Sequence, residues 1–168
     1  MKRFLDIICA AFGLIVLLPL LCPLAILLRM TGEGKVFYRQ ERVGFGLKPF
    51  FILKFATMLE NSANIGSGDI TLRDDPRVLP IGRFLRKTKI NELPQLWNVL
   101  TGDMSLVGPR PLLIEYLSLY SAEQARRHEI RPGITGWAQV NGRNAISWNE
   151  KFEMDVWYVD NQSLILDL

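Results

Sequence analysis

Apolar residues follow two regimes along this chain. From residue 4 to residue 28 they run almost unbroken, and afterwards they recur at short helical or alternating spacing between turn residues. At about 1.5 Å per residue the first stretch is long enough to cross a hydrocarbon layer of roughly 30 Å as one helix. Pro19 and Pro23 interrupt its ladder, Asp6 lies near its start, and both flanks are basic, with Lys2 and Arg3 before it and Arg29, Lys35, Arg39 and Arg42 after it. Lys and Arg mark cytoplasmic flanks, so both ends belong on one side. A helix that bends at Pro19 and returns meets that condition, whereas a single span does not. Read as a signal peptide, the stretch has an overlong core, and Leu21 before Cys22 is not the small residue a lipoprotein processing site prefers.

The remainder reads as short elements. Val36-Phe37-Tyr38 and the run from Pro49 to Phe55 flank Gly44-Phe45-Gly46, which predicts two strands paired through a glycine-containing loop. Residues 60 to 69 are polar and glycine-rich and read as a loop. Val78, Leu79, Ile81, Phe84 and Leu85 predict a short helix within residues 76–86, with its arginines on one side. Leu93, Leu96, Trp97 and Leu100 predict a helix from about Glu92 to Leu100, with Asn91 as its N-cap and Pro94 in its first turn. Residues 112–128 form one or two helical pieces, the second opened by a Ser121 to Gln124 capping box. Trp137 to Val140 reads as strand-like, and Asn141-Gly142 as a tight turn presenting Arg143 at a loop tip. Trp148, Phe152, Val156 and Val159 share one face of a helix over residues 147–159. The fold expected is α+β, one small membrane-associated unit with amphipathic helices at the interface.

Composition changes this picture little. Apolar residues make up 49% of the 168, with much of the excess in the first stretch, and a net charge of +3 is too small to indicate nucleic acid. Its distribution matters more, since Arg73, Arg77, Arg83, Arg86, Lys87 and Lys89 form a basic cluster. Cys9 and Cys22 lie in the apolar stretch without companions at zinc spacing and read as apolar fillers in a reduced compartment. His128 is the only histidine, which excludes a His-rich metal site, and it reads as a helix-end or surface residue.

The carboxylates that could hold a metal or move a proton are Glu92, Asp103, Asp155 and Asp167. Asp103 also suits a turn, and Asp155 a solvent-facing helix position. Glu92 is best placed, at a helix start between two cationic clusters, where Arg86, Arg110 and Arg143 can grip phosphate oxygens in pairs. A hard Mg²⁺ asks only one or two carboxylates, the rest coming from phosphates and water. These parts suit phosphoryl transfer at a membrane surface. No Walker loop and no Rossmann fingerprint is present.

The order of motifs resembles the bacterial sugar transferases that are monotopic phosphoglycosyl transferases. Lys2-Arg-Phe-Leu-Asp6, the proline-broken apolar segment, Lys54-Phe-Ala-Thr-Met58, Glu92-Leu-Pro-Gln-Leu96, Gly102-Asp-Met-Ser-Leu-Val-Gly-Pro-Arg-Pro111, Arg131-Pro-Gly-Ile-Thr-Gly136 and Gln139-Val-Asn-Gly-Arg143 carry it along nearly the whole chain. The resemblance implies a re-entrant membrane helix over residues 1–30, broken at Pro19, and a catalytic domain over residues 31–168 on the cytoplasmic face of the bacterial inner membrane. It implies Mg²⁺-dependent transfer of a sugar 1-phosphate from a UDP-sugar to a polyprenol phosphate, releasing UMP, as the first membrane step of glycan assembly. Membrane lipids are further expected partners, as is a second copy of the chain or a downstream glycosyltransferase; nucleic acid is not.

In that family an Asp-Glu pair is catalytic, and the Asp attacks the β-phosphate to form a covalent intermediate. Here the pair falls on Asn91 and Glu92. Glu92 would bind Mg²⁺, Lys54, Arg86, Arg110 and Arg143 would contact phosphates or nucleotide, and Asp155 and Asp167 complete the substrate-binding set. The chain departs from the pattern in four places: Asn91 replaces the Asp, Leu18 rather than Ser precedes Pro19, Ala56 stands where a basic or polar residue is usual, and the chain ends at Leu168 where many relatives continue into another helix. A neutral amide cannot form an acyl phosphate. The alternatives are Glu92 as nucleophile, a subgroup with altered chemistry, or a catalytically silent relative that binds nucleotide sugars or acts as a scaffold.

Overall fold

The computed structural model describes residues 1–31, 33–65, 75–142 and 145–168. Its first element, α1 (Lys2–Met30), keeps Pro19 and Pro23 inside one helix. Lacking N–H groups, these prolines leave the carbonyls of Ile15 and Pro19 without their usual helical donors. Along most of α1 the apolar side chains have no protein against them: Phe4, Phe12, Ile15, Val16 and Ile26 are all more than half exposed. It is long and apolar enough to cross a membrane.

Both ends of α1 nevertheless pack on the rest of the molecule. Near its start, buried Asp6 accepts hydrogen bonds from Ser105 Oγ (2.7 Å) and the Leu106 amide (3.1 Å), and Arg3 donates to the carbonyls of Leu100 and Met104. Ala10 joins Ile52, Val99 and Met104 in one apolar core. Towards its other end Leu24 and Leu28 join Phe55 and Leu85 in a second. Asp6 thus serves as an anchor within the apolar stretch, which its charge alone did not reveal.

β1 (Phe37–Val43) and β2 (Pro49–Phe55) form the expected antiparallel hairpin, with Phe37 opposite Phe55 and Val43 opposite Pro49. α2 (Pro80–Lys87) starts later than residue 76, with proline at its first position. A 3-10 turn (Ile90–Glu92) and α3 (Gln95–Thr101) follow. The helix expected from Glu92 therefore begins three residues later, and Asn91 is not its cap. Pro94 has no N–H to return to the Ile90 carbonyl, which is taken instead by the Leu93 amide at 3.1 Å. The chain stays in 3-10 form until the proline is passed.

β3 (Ser105–Val107) and β4 (Gly133–Thr135) pair in parallel. Gly108, Gly133 and Gly136 press backbone on backbone at this joint, and a Cβ on any of them would collide with the main chain of a neighbouring segment. Between these strands lie a 3-10 stretch (Ile114–Leu119), α4 (Ala122–Ala125), which has the expected Ser121–Gln124 capping box, and a 3-10 turn (Arg126–His128). Trp137 to Val140 is a correction. It belongs to α5 (Trp137–Asn141), because extended Gly136 starts a helical turn and its carbonyl takes the amides of Gln139 and Val140. α6 (Trp148–Asn161), with a second capping box at Ser147, and α7 (Leu164–Asp167) complete the chain. The architecture is a mixed helix and sheet unit.

Candidate functional site

Glu92 sits at the end of the 3-10 turn rather than on a helix dipole, so its surroundings are set by side chains. Arg110 Nη2 donates to Glu92 Oε1 at 2.8 Å, and Lys54 Nζ lies 4.0 Å from the same oxygen. Burial pushes the Glu92 carboxyl up, but Arg110, by charge and hydrogen bond, together with Lys54 and Lys89, outweighs it and holds the group below the usual range. Burial pulls Lys54 down to about 8, with Glu92 opposing the shift and neighbouring arginines adding to it. Arg86 is lowered chiefly by burial.

Each of these side chains is delivered by a distinct device. Asn98 of α3 accepts from the Leu53 amide (2.9 Å) and donates to the Phe51 carbonyl (2.8 Å), so an amide side chain completes the edge of β2 and fixes the strand carrying Lys54. Lys89 turns the chain between α2 and Glu92 with a φ of 63°, a left-handed conformation uncommon for a residue with a side chain. Arg110 is held through its carbonyl, which accepts from Arg127 Nη2 at 2.7 Å. Arg127 is in turn buried against Asp155 at 2.6 Å and donates to Tyr120 Oη.

Together they border a cavity of about 590 Å³. Its lining includes Arg39, Arg42, Lys54, Arg86, Lys89 and Arg110, set against Glu92 and Glu33; Lys35 and Glu60, also on the wall, pair with each other at 3.1 Å. Such an excess of cations suits a polyanion such as a diphosphate. Asn91 lines the same cavity, is only 8% exposed, and its Oδ1 has no hydrogen-bond partner among the described residues.

The structure thus brings Lys54, Arg86, Asn91, Glu92 and Arg110 together. Asp155 is not solvent-facing as its helix position suggested: it is buried behind the site, and burial pushes its carboxyl up while Arg127 pulls it down. Asp167 lies apart, paired with Lys2 and accepting from Tyr158 Oη. Arg143 and residues 66–69 of the expected loop fall outside the described residues, as does Arg73. Arg77, counted in the basic cluster, is buried against Asp75 and offers no open charge to an anion. His128 is buried rather than at the surface, packed against Tyr120. Arg39, Arg42 and Lys89 join the wall although the motifs did not single them out as site residues; the signals were the basic flank after the apolar stretch for the first two and the basic cluster before Glu92 for Lys89.

Comparison with known proteins agrees with this geometry. The family described as bacterial sugar transferase matches residues 1–168. The sugar transferase EpsL of Bacillus subtilis is 52% identical over 168 residues, covering all of this chain and 82% of that protein. An undecaprenyl-phosphate galactose phosphotransferase of Salmonella typhimurium is 38% identical, and a UDP-glucose:undecaprenyl-phosphate glucose-1-phosphate transferase of Escherichia coli 39% identical. Each covers all of this chain, which spans 38% of each of those two proteins. A match over every residue, with motifs that converge on one cationic cavity, places the chain in the bacterial sugar transferase family.

Proposed function

We propose that this protein transfers a sugar 1-phosphate from a UDP-sugar to a polyprenol phosphate, releasing UMP, at the cytoplasmic face of a bacterial inner membrane. The observation that carries the reading is the cationic cavity with Glu92 held between Arg110 and Lys54. The names of the Salmonella and Escherichia coli relatives supply the class of acceptor, undecaprenyl phosphate. In this cavity Lys54, Arg86 and Arg110 bind and orient the diphosphate and stabilise the charge that moves to the leaving nucleotide. Glu92 keeps those cations in register.

Mg²⁺ fits the residue types present, because Asn91 and Glu92 are successive residues lining one cavity, each offers a hard oxygen, and Asn91 Oδ1 has no hydrogen-bond partner among the described residues. Those two residues would hold it, with phosphate oxygens and water as the other ligands, and it would supply charge neutralisation on the diphosphate. The returning course of α1 is supported by the packing of both its ends on one body, by its two prolines and by its basic flanks.

The test is turnover. Detergent-purified protein with Mg²⁺, undecaprenyl phosphate and a panel of UDP-sugars releases UMP for at least one sugar. A second reading rests on Asn91: if no sugar is turned over and Asn91→Asp restores release, the chain is a catalytically silent relative that binds nucleotide sugars.

A further inference from the structure

Arg110 stands between two prolines, and neither Pro109 nor Pro111 has an amide N–H with which to tie this segment down. Its carbonyls hold it instead. The Pro109 carbonyl accepts from the Gly133 amide of β4 at 3.0 Å and the Leu112 carbonyl from the Val43 amide of β1 at 3.1 Å, while the Arg110 carbonyl accepts from a side chain, Arg127 Nη2, at 2.7 Å. A residue before proline is confined to extended backbone, so the direction of the Arg110 carbonyl and that of its side chain turn together. Holding the one aims the other.

Arg127 is itself fixed at every nitrogen of its guanidinium. Nε and Nη2 donate to Asp155 Oδ2 at 3.1 and 2.6 Å, Nη1 donates to Tyr120 Oη at 3.0 Å, and the guanidinium carbon lies 5.8 and 5.4 Å from the ring centres of Tyr120 and Phe152. Only 2% of Arg127 is exposed. Burying an ion pair costs hydration that its attraction barely returns, and an apolar pair of similar size would join α6 to this part of the fold as well. An apolar pair could not supply a rigid donor to the Arg110 carbonyl, and a lysine, with its donors on one nitrogen, could not serve Asp155, Tyr120 and that carbonyl together. We propose that Arg127, locked by Asp155 and Tyr120, is a positioning residue that acts by aiming the Arg110 guanidinium at the diphosphate in the cationic cavity. The proposal rests on the transferase reading above.

A double-mutant cycle on the full chain in detergent, with UDP as the probe, decides it. Arg127→Lys keeps the charge opposite Asp155 and loses the bond to the Arg110 carbonyl, so UDP affinity by calorimetry falls about fivefold and kcat/KM for the UDP-sugar about tenfold. Arg110→Ala loses more, and adding Arg127→Lys to it deepens neither loss. Equal factors in both backgrounds overturn the proposal, because a residue that serves only the fold acts whether or not the Arg110 side chain is present. Unaltered UDP affinity in Arg127→Lys overturns it as well. Should Arg127→Lys not fold, Tyr120→Phe carries the same cycle: it removes one acceptor and keeps the ring, costs about twofold in UDP affinity where Arg110 is present, and costs nothing where it is not; any other pattern overturns the proposal. Absence of turnover with every UDP-sugar overturns the transferase reading, while the UDP-binding cycle still decides the role of Arg127. Failure of the unsubstituted chain to bind UDP overturns both.

Discussion

Among the described residues Glu92 is the carboxylate of the cationic cavity that pairs directly with Arg110, and its replacement separates binding from chemistry. Glu92→Gln removes a negative charge from a cationic wall, so UDP binds at least as tightly by calorimetry, while UMP release falls roughly 10²–10³-fold, the usual effect of losing one electrostatic element. Unaltered turnover would leave Glu92 a mere counter-ion. Lys54 sets a pH limit. Burial places it at about 8, so it is charged at neutral pH and sheds its proton as pH rises through that value. UDP affinity therefore declines above about pH 8, and Lys54→Met flattens the profile and weakens binding roughly tenfold at pH 7. Stability runs the opposite way: between about 8 and the unfolded value of about 10.4 the unfolded chain holds the extra proton, so folding gains as pH rises.

Elements are tied to the site through buried polar joints. Asp155 of α6 holds Arg127, which holds the Arg110 carbonyl. Asp155→Ala leaves a buried guanidinium without its counter-charge, at a cost of about 3–5 kcal/mol. Thermal melting should fall by about 10 °C, on the scale of a few degrees per kcal/mol for a chain of this size. Asp6→Ala removes the acceptor of two donors at the β3 edge, Ser105 Oγ and the Leu106 amide, and costs about 1–3 kcal/mol, with faster hydrogen exchange at the Leu106 amide as the local sign.

These joints are also where the sequence was least readable. The hairpin and the Ser121 capping box follow from spacing alone, because turn glycines and Ser-x-x-Gln act locally. Asp6, Asn98 and Asp155 act on residues far along the chain, and no local pattern encodes that. Asn91 was visible in sequence as a polar residue before an apolar run, but the missing N–H of Pro94 moved the helix past it and turned a surface cap into a buried wall residue.

For the whole molecule, the proposed returning course of α1 predicts a topology. Single cysteines at Lys2 and Lys35, in a chain with Cys9 and Cys22 replaced by alanine, stay unreactive to an impermeant maleimide in intact cells, and both react once the membrane is opened. Labelling of only one from outside excludes a returning helix. Trp148 and Trp157 are each about half exposed, and tryptophan is a residue enriched at bilayer interfaces. The parallel strand joint bears on how such a molecule drifts. Gly108, Gly133 and Gly136 share one close approach. The first alanine among them spreads the strands and shifts the turn that carries Arg110, and a second enters space already opened. Their effects are thus strongly epistatic, with the double substitution far milder than the sum of its parts. A lineage that loses one of the three finds little to recover by changing the others, and only a return to glycine closes the joint again.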